Sequence, residues 1–167
     1  MNESHSARLG VTAPGATGDT VSLRFALTIV AAIAPEILLQ KRDSESTIFY
    51  PITGGRVSGD VVGTVLAGGG DWATARSDQT MNVEARYQFR ADSGAIVDVF
   101  NVGVLRHCDP DAAVIDYFVT APVFRTSDPD LQWLTRSAFV GNARGIGDDI
   151  VIDVYEVMTD AEERTHA

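Results

Sequence analysis

The sequence has few of the residues that hold metals or form disulfides. Cys108 is the single cysteine among 167 residues, so no internal disulfide can form, and a lone thiol suits a reducing compartment. Of the three histidines, His5 and His166 lie near the chain ends and only His107 lies inside. Because no Cys-x-x-Cys or His-x-x-x-His spacing occurs, we predict that the protein binds no metal.

Signatures of cofactor and nucleophile chemistry are also missing. The glycines at positions 68–70 are not followed by Lys and Ser or Thr, so they do not form a phosphate-binding loop. Neither a dinucleotide fingerprint nor a Gly-x-Ser-x-Gly elbow is present. We therefore expect no cofactor, and any catalysis should depend on the side chains of the chain itself.

Positive charge is scarce relative to negative charge. The 13 Lys and Arg residues face 23 Asp and Glu residues, which gives a net charge of −10. Such a surface repels phosphate backbones and anionic lipids, so we predict neither a nucleic-acid nor a membrane partner. The uncharged run at 25–35 is too short to span a bilayer and lacks the basic start of a signal peptide. A soluble, cytoplasmic protein is expected.

Alternating apolar and polar residues, by contrast, occupy most of the chain and predict strands. Gly and Asp clusters predict a turn at 53–56, a loop at 67–72 and a hairpin turn at 92–94, and Pro122 predicts a break between two strands. For residues 131–141 a short helix is the alternative to a strand. The predicted strands cover residues 21–34, 47–51, 57–66, 81–91, 95–104, 114–121, 123–126, 131–141 and 150–158.

This pattern predicts one all-β domain. Many short strands at close spacing, without a long amphipathic helix, are typical of an antiparallel sandwich or barrel. We predict a flexible N-terminal tail at 1–20, a β-domain at 21–158 and a C-terminal tail at 159–167.

An ordered set of short motifs carries a family resemblance across residues 21–158. The motifs are PITGGRVSG (51–59), GTVLAGGGDW (63–72), EARY (84–87), SGAI (93–96), NVG (101–103), YF (117–118), PVF (122–124), WL (133–134) and DVYEV (153–157). Together they resemble domain of unknown function family 3237, also called uncharacterised protein family 0311. The resemblance implies a single antiparallel, calycin-like β-barrel of about eight strands with a central cavity. Two positions depart from the family pattern: Glu84 replaces an aspartate, and Gln79 replaces a glycine after Asp78.

The strand at 81–91 offers two candidate catalytic residues. Glu84 and Arg86 lie two positions apart and therefore share a face, opposite Val83, Ala85, Tyr87 and Phe89. If that face points into the barrel, Glu84 could act as a general base and Arg86 could bind an oxyanion. If it points outward, both residues belong to an ordinary solvated stripe. Alternation favours the outward orientation, whereas the family's acidic-x-Arg-Tyr pattern keeps the inward one open.

Further candidates have polar or flat aromatic side chains. Asp71 and Trp72 follow the three glycines, and could supply a base and an aromatic surface or else cap and plug a loop. Asn101 could bind a ligand or hold a bulge. Each of the aromatics Tyr87, Tyr117 and Trp133 could line a ligand site or simply pack in the core.

Two functions remain open from the residues alone. The first is a barrel that binds a hydrophobic, oxygenated or aromatic small molecule and acts as a cofactor-free isomerase, cyclase or lyase. Its catalytic residues would be Asp71, Glu84 and Arg86, and its ligand-binding residues Trp72, Tyr87, Asn101, Tyr117 and Trp133. The second is a non-catalytic carrier, sensor or interaction module with a filled core. A homodimer through an exposed strand edge is compatible with both.

Overall fold

The computed structural model describes residues 20–107 and 115–159, which form one ten-stranded sheet with every pairing antiparallel. The predicted tails, with His5 and His166, lie outside the described residues except for Thr20 and Thr159; Cys108 also lies outside them. The strands are β1 (Val21–Ile33), β2 (Ile37–Lys41), β3 (Glu45–Gly59), β4 (Gly63–Val65), β5 (Gly69–Arg76), β6 (Thr80–Ala91), β7 (Ile96–Arg106), β8 (Tyr117–Arg125), β9 (Phe139–Ile146) and β10 (Asp149–Thr159). A 3-10 turn at Pro129–Leu131 and a one-turn helix α1 at Trp133–Arg136 connect β8 to β9.

The sheet closes into a barrel because β1 pairs with strands on both of its sides. It pairs with β10 along nearly its whole length and with β3 through residues 27–33. The ring then runs from β10 through β9, β8, β7 and β6 to β3. Between β6 and β3 lie two short strands, β4 and β5, each of which pairs with both of them along a different part of their length. Among the strands that the structure describes, β2 pairs with β3 alone, and it lies outside the ring. The predicted single antiparallel β-barrel is confirmed.

Three local predictions were wrong because sheet pairing outweighed turn residues. The predicted turn at 53–56 lies inside β3, where Gly54 and Gly55 have φ values of 155° and 138°. A side chain at Gly55 would collide with the backbone of Val30, so glycine lets β1 and β3 approach. The predicted loop at 67–72 already contains the start of β5. Strand β8 continues through Pro122, which pairs with Asn101 but not with β9, so its missing N–H is not needed.

The segment at 131–141 combines both alternatives left open by its sequence. Its first part forms α1, and its last part begins β9. The departure at position 79 also has a visible effect: Gln79 has φ of 63°, the left-handed conformation that glycine adopts most easily. None of the helices within the described part of the chain is long and apolar enough to cross a membrane.

Large apolar side chains fill one half of the barrel interior, which we call the closed half. Phe89, Val97, Phe124, Leu134 and Phe139 are all buried there. The Phe124 and Phe139 rings meet edge to face with centroids 5.1 Å apart. Complete burial of one such side chain contributes about 1.5–3 kcal/mol of hydrophobic stabilisation.

Paired polar groups cover the end of the closed half. The buried Glu156 carboxylate accepts hydrogen bonds from the Arg24 guanidinium at 2.7 Å and from the Ser137 hydroxyl at 2.5 Å. Arg24 also reaches Asp60 at 2.6 Å and lies 5.6 Å from the centre of the Trp133 ring. Because these charged groups have partners, burying part of the network leaves no isolated charge in this half.

Candidate functional site

A cavity of about 260 Å³ occupies the other half of the barrel interior, which we call the open half. It lies where β1 and β7 end and where β6, β8 and β10 begin, and it is only partly enclosed. Most of its lining is apolar. The lining residues are Ala31, Ile33, Tyr50, Ile52, Asp71, Met81, Val83, Ala85, Tyr87, Asn101, Leu105, His107, Ile115, Phe118, Thr120, Ile150 and Ile152.

The cavity exists because small residues occupy inward positions in this half. Ala31 and Ala85 line it directly. On either side of Thr120, the paired residues on the neighbouring strands are Gly103 and Gly141. A side chain at either glycine would collide with Thr120. The glycines thus make room for the Thr120 side chain, while the small Ala31 and Ala85 leave the cavity open where the closed half has aromatic rings.

One cross-strand row places the polar lining residues side by side. Tyr50 of β3 pairs with Asp71 of β5, Asp71 with Ala85 of β6, and Ala85 with Asn101 of β7. Neighbouring strands lie about 4.8 Å apart, so roughly 10 Å separates the backbones of Asp71 and Asn101. The small Ala85 side chain between them lets both polar side chains border the same space.

Asp71 is the carboxyl group of this row. Burial raises its pKa to about 6. A hydrogen bond that Asp71 Oδ1 accepts from the Glu84 backbone N–H, at 3.0 Å, acts in the opposite direction, and the Glu84 charge raises the pKa further. Near neutral pH such a group is mostly ionised yet holds a proton more readily than an exposed aspartate, which suits a general base.

Three other polar atoms in the open half are buried without a hydrogen-bond partner among the described residues. They are the Tyr87 hydroxyl, Asn101 Oδ1 and Thr120 Oγ1. Burial, followed by the negative charge of Asp71, raises the pKa of Tyr87, so its hydroxyl stays protonated and able to donate. Leaving a buried polar atom unpaired costs about 1–3 kcal/mol, so a ligand that pairs with these atoms would regain that energy.

Tyr50 lines the cavity from β3. Its hydroxyl donates a hydrogen bond to the exposed Glu36 at 3.0 Å. Burial first, then this hydrogen bond and the nearby negative charges, raise the pKa of Tyr50 to about 12. Tyr50 therefore contributes a neutral phenol next to Asp71. His107, at the end of β7, completes the polar part of the lining.

The inward orientation considered for Glu84 and Arg86 is wrong. Both side chains are exposed on the outer face of β6, while Val83, Ala85, Tyr87 and Phe89 are buried inside. The Arg86 guanidinium lies over the Phe100 ring, 4.4 Å from its centre. Burying four apolar side chains outweighed any gain from an internal ion pair, so neither residue can contact a ligand in the cavity from this position.

Three of the predicted ligand-binding aromatics also lie away from the cavity. Trp72 is 44% exposed on the outer face and packs on Phe49, with ring centroids 4.8 Å apart. Tyr117 is exposed beneath the Arg106 guanidinium. Trp133 lies on α1 against Phe139 at the closed half. Strand alternation explains Trp72, since its neighbour Asp71 points inward.

The cavity therefore brings together Asp71, Tyr87 and Asn101 from the sequence prediction and adds Tyr50, His107 and Thr120. Thr120 could have been found from the alternation of Phe118, Thr120 and Phe124 in β8. Nothing in the sequence marks Tyr50 or His107 as near Asp71, because their positions depend on the register of β3 against β5 and on the path of β7 around the barrel. Within the described ranges, no three His, Cys, Asp or Glu side chains form a metal-binding group.

Sequence comparison gives the family of this chain. Residues 21–157 match the family described as "Protein of unknown function (DUF3237)". The chain belongs to this family. A UPF0311 protein from Rhodopseudomonas palustris is 34% identical over 150 residues, which cover 83% of this chain and 98% of the relative. The resemblance noted in the sequence motifs is thus confirmed.

Solved structures extend the DUF3237 comparison to the fold. A β-barrel-like protein from Acinetobacter baumannii is 26% identical and superposes with a TM-score of 0.75 over 83% of this chain and 96% of its own. An enzyme from Penicillium herquei is 20% identical, with a TM-score of 0.69 over 88% of this chain and 100% of its own. At that identity the likeness shows the fold alone.

Proposed function

We propose that this member of the family is a small-molecule-binding barrel that catalyses a cofactor-free proton transfer on a hydrophobic, oxygenated compound. The observation that carries the proposal is the convergence of Asp71 and three unpaired polar atoms on one mostly apolar cavity. Pockets of this composition are the usual form of a small-molecule site. The P. herquei enzyme, which shares the fold, adds that the fold is compatible with catalysis.

In this mechanism the ionised Asp71 carboxylate removes a proton from the substrate. An α-carbon next to a carbonyl is a suitable donor: the C–H bond breaks, its electron pair forms an enolate, and Asp71 holds the proton. The Tyr87 hydroxyl donates a hydrogen bond to the enolate oxygen, in the role first considered for Arg86. Return of the proton to another atom gives an isomer, whereas loss of a leaving group gives an elimination product.

The test uses α-proton exchange of 2-tetralone in D₂O, followed by NMR. We expect exchange above the buffer rate, rising with pD as Asp71 ionises, and at least ~10-fold slower in Asp71→Asn, since a positioned base contributes about 10²–10⁴-fold. Glu84→Gln is the matched control, because Glu84 lies next to Asp71 but faces solvent; at a pD high enough to ionise Asp71 fully its rate should not change, while the rise with pD should move slightly lower, since the Glu84 charge that raises the pKa of Asp71 is gone. Binding of 2-tetralone without exchange in the wild type would retire catalysis in favour of a carrier.

Two expectations about the cellular context belong to the same proposal. The single cysteine supports a cytoplasmic location. The outer edge of β2 has no partner strand among the described residues, and its Ile37, Leu38 and Leu39 are exposed, which supports a homodimer. Light scattering coupled to size-exclusion chromatography checks the second expectation: Leu38→Asp should convert a dimer to a monomer, and a wild-type monomer would exclude it.

A further inference from the structure

The polar groups of the open half differ in kind from those on the outer surface. Asp71 and Asn101 Oδ1 are acceptors, while the Tyr87 and Thr120 hydroxyls can donate or accept. No Lys or Arg is found among the lining residues that the structure describes.

A ligand with a negative charge would have no Lys or Arg side chain to pair with in such a cavity, and would lie near the Asp71 carboxylate. Burying an unpaired anion costs far more than burying a neutral polar group, because the anion loses its hydration. Arg86 is a cationic residue between two lining residues in the sequence, Ala85 and Tyr87. Its side chain nevertheless faces away from the cavity and lies over Phe100. Electrostatics in the open half therefore disfavour carboxylates and phosphates.

Asn101 Oδ1 indicates which polar group a ligand of this cavity should carry. It is buried, it has no partner among the described residues, and it can only accept. Thr120 lies on the neighbouring strand β8, two residue pairs farther along than Asn101, and its oxygen is also unpaired. A hydroxyl or N–H group on a ligand would satisfy Asn101 Oδ1.

We propose that the cavity selects uncharged, mostly apolar molecules that present a hydroxyl or N–H donor to Asn101 and Thr120, and that it rejects anionic molecules of the same shape. The proposal rests on the cavity being the ligand site and names the class of ligand it takes. Asn101 and Thr120 determine this specificity, and Asp71 performs the chemistry about two strands away.

Three naphthalene probes of nearly equal shape test the selection at pH 8: 2-naphthol, naphthalene and 2-naphthoate. Their dissociation constants are measured by titration of the wild-type protein and followed by NMR. We expect 2-naphthol to bind roughly 10-fold more tightly than naphthalene, since a hydrogen bond to an unpaired buried acceptor contributes about 1–1.5 kcal/mol. We expect 2-naphthoate to bind more weakly than both.

Two substitutions by apolar residues of similar shape test which side chains cause the preference for 2-naphthol over naphthalene. Asn101→Leu and Thr120→Val remove the polar atoms with little change in volume, and because these atoms are unpaired, neither change should unfold the protein. In Asn101→Leu the preference for 2-naphthol over naphthalene should disappear while naphthalene binds at least as tightly as before. Thr120→Val should reduce the preference to a smaller extent.

The possible results separate this proposal from the proposed function. Binding of 2-naphthoate as tight as that of 2-naphthol, or an unchanged preference in Asn101→Leu, overturns the selection while leaving the cavity as a ligand site. Failure of all three probes to bind overturns the cavity as a ligand site, and both proposals with it. The expected order of binding together with no tetralone exchange would retain the ligand class and remove the catalytic role of Asp71.

Discussion

The closed and open halves of the barrel have the same wall but opposite interiors. In the closed half Phe124 and Phe139 fill the space between the strands, and the Glu156 carboxylate has two hydrogen-bond donors. In the open half Ala85 leaves a cavity, and the Asn101 side-chain oxygen has no partner among the described residues. The strands of both halves alternate inward and outward residues in the same way. What distinguishes a packed core from a candidate ligand site is therefore the size of the inward side chains and whether their polar atoms have hydrogen-bond partners.

The largest expected effect compares two phenylalanines on one strand. Phe124 and Phe118 both point inward from β8, Phe124 into the closed half and Phe118 onto the cavity. Phe124→Ala should lower the free energy of unfolding by about 3–5 kcal/mol. Phe118→Ala should cost roughly half as much, because its ring already borders empty space. Urea denaturation measures both, and equal costs would remove the energetic distinction between the halves.

A second comparison adds volume instead of removing it. Ala91 and Ala85 are both inward residues of β6, one in the closed half and one lining the cavity. Ala91→Leu should destabilise the fold by about 1–3 kcal/mol through overpacking. Ala85→Leu should stay within about 1 kcal/mol of the wild type, since the cavity accepts the larger side chain.

Ligand binding completes this second comparison. Ala85→Leu should weaken the binding of 2-naphthol at least ~10-fold, because the leucine occupies the space that the ligand needs. Ala91→Leu should leave that affinity unchanged wherever the protein is folded. If Ala85→Leu bound the probe as well as the wild type does, the ligand would have to bind elsewhere.

The smallest expected effect is a pH dependence confined to the open half. The pKa of Asp71 is about 6 in the folded protein, above the ordinary 3.8 expected when it is unfolded. The folded state therefore holds the proton more strongly, and stability falls as pH rises from about 4 to about 6. For this partly solvated group we expect a loss of about 1–2 kcal/mol.

Comparing the stability of the wild type with that of Asp71→Asn separates the contribution of Asp71 from those of the other carboxylates. Urea denaturation of the wild type and of Asp71→Asn between pH 4 and pH 8 should show the wild type losing its relative stability over that interval. The Glu84→Gln variant should show the same loss at slightly lower pH, since Asp71 remains buried and only the charge of Glu84, which raises its pKa, is removed. Parallel curves for the wild type and Asp71→Asn would contradict the burial of a charge at position 71.

Strand alternation predicted the barrel but only part of the site. The β6 pattern alone assigns Tyr87 to the interior, and it equally assigns Glu84 and Arg86 to the exterior. The family pattern kept the opposite orientation open, yet a sequence motif does not state which way its residues point. Asp71 was identified from the sequence and does line the cavity, but it was placed in a predicted loop, because three glycines hid the start of β5.

The remaining site residues depend on contacts between distant strands. Tyr50 reaches Asp71 through the pairing of β3 with β5, and Thr120 reaches the cavity through the neighbouring glycines of β7 and β9. Registers of this kind are set by pairing between whole strands, which no local window of sequence contains. The paired network of Arg24 and Glu156, 132 residues apart, was missed for the same reason.

The wall of the barrel is not equally strong all the way round. Residues 80–90 of β6 all pair with β7, whereas in the described part of the chain β8 pairs with β9 only through Val119 and Thr120. Thr120 thus belongs both to the weakest seam of the wall and to the cavity. A molecule that forms a hydrogen bond with its hydroxyl would stabilise the contact between β8 and β9 from inside the barrel. Local opening of this strand pair would then become rarer, which would be observed as slower amide hydrogen exchange at Gly141.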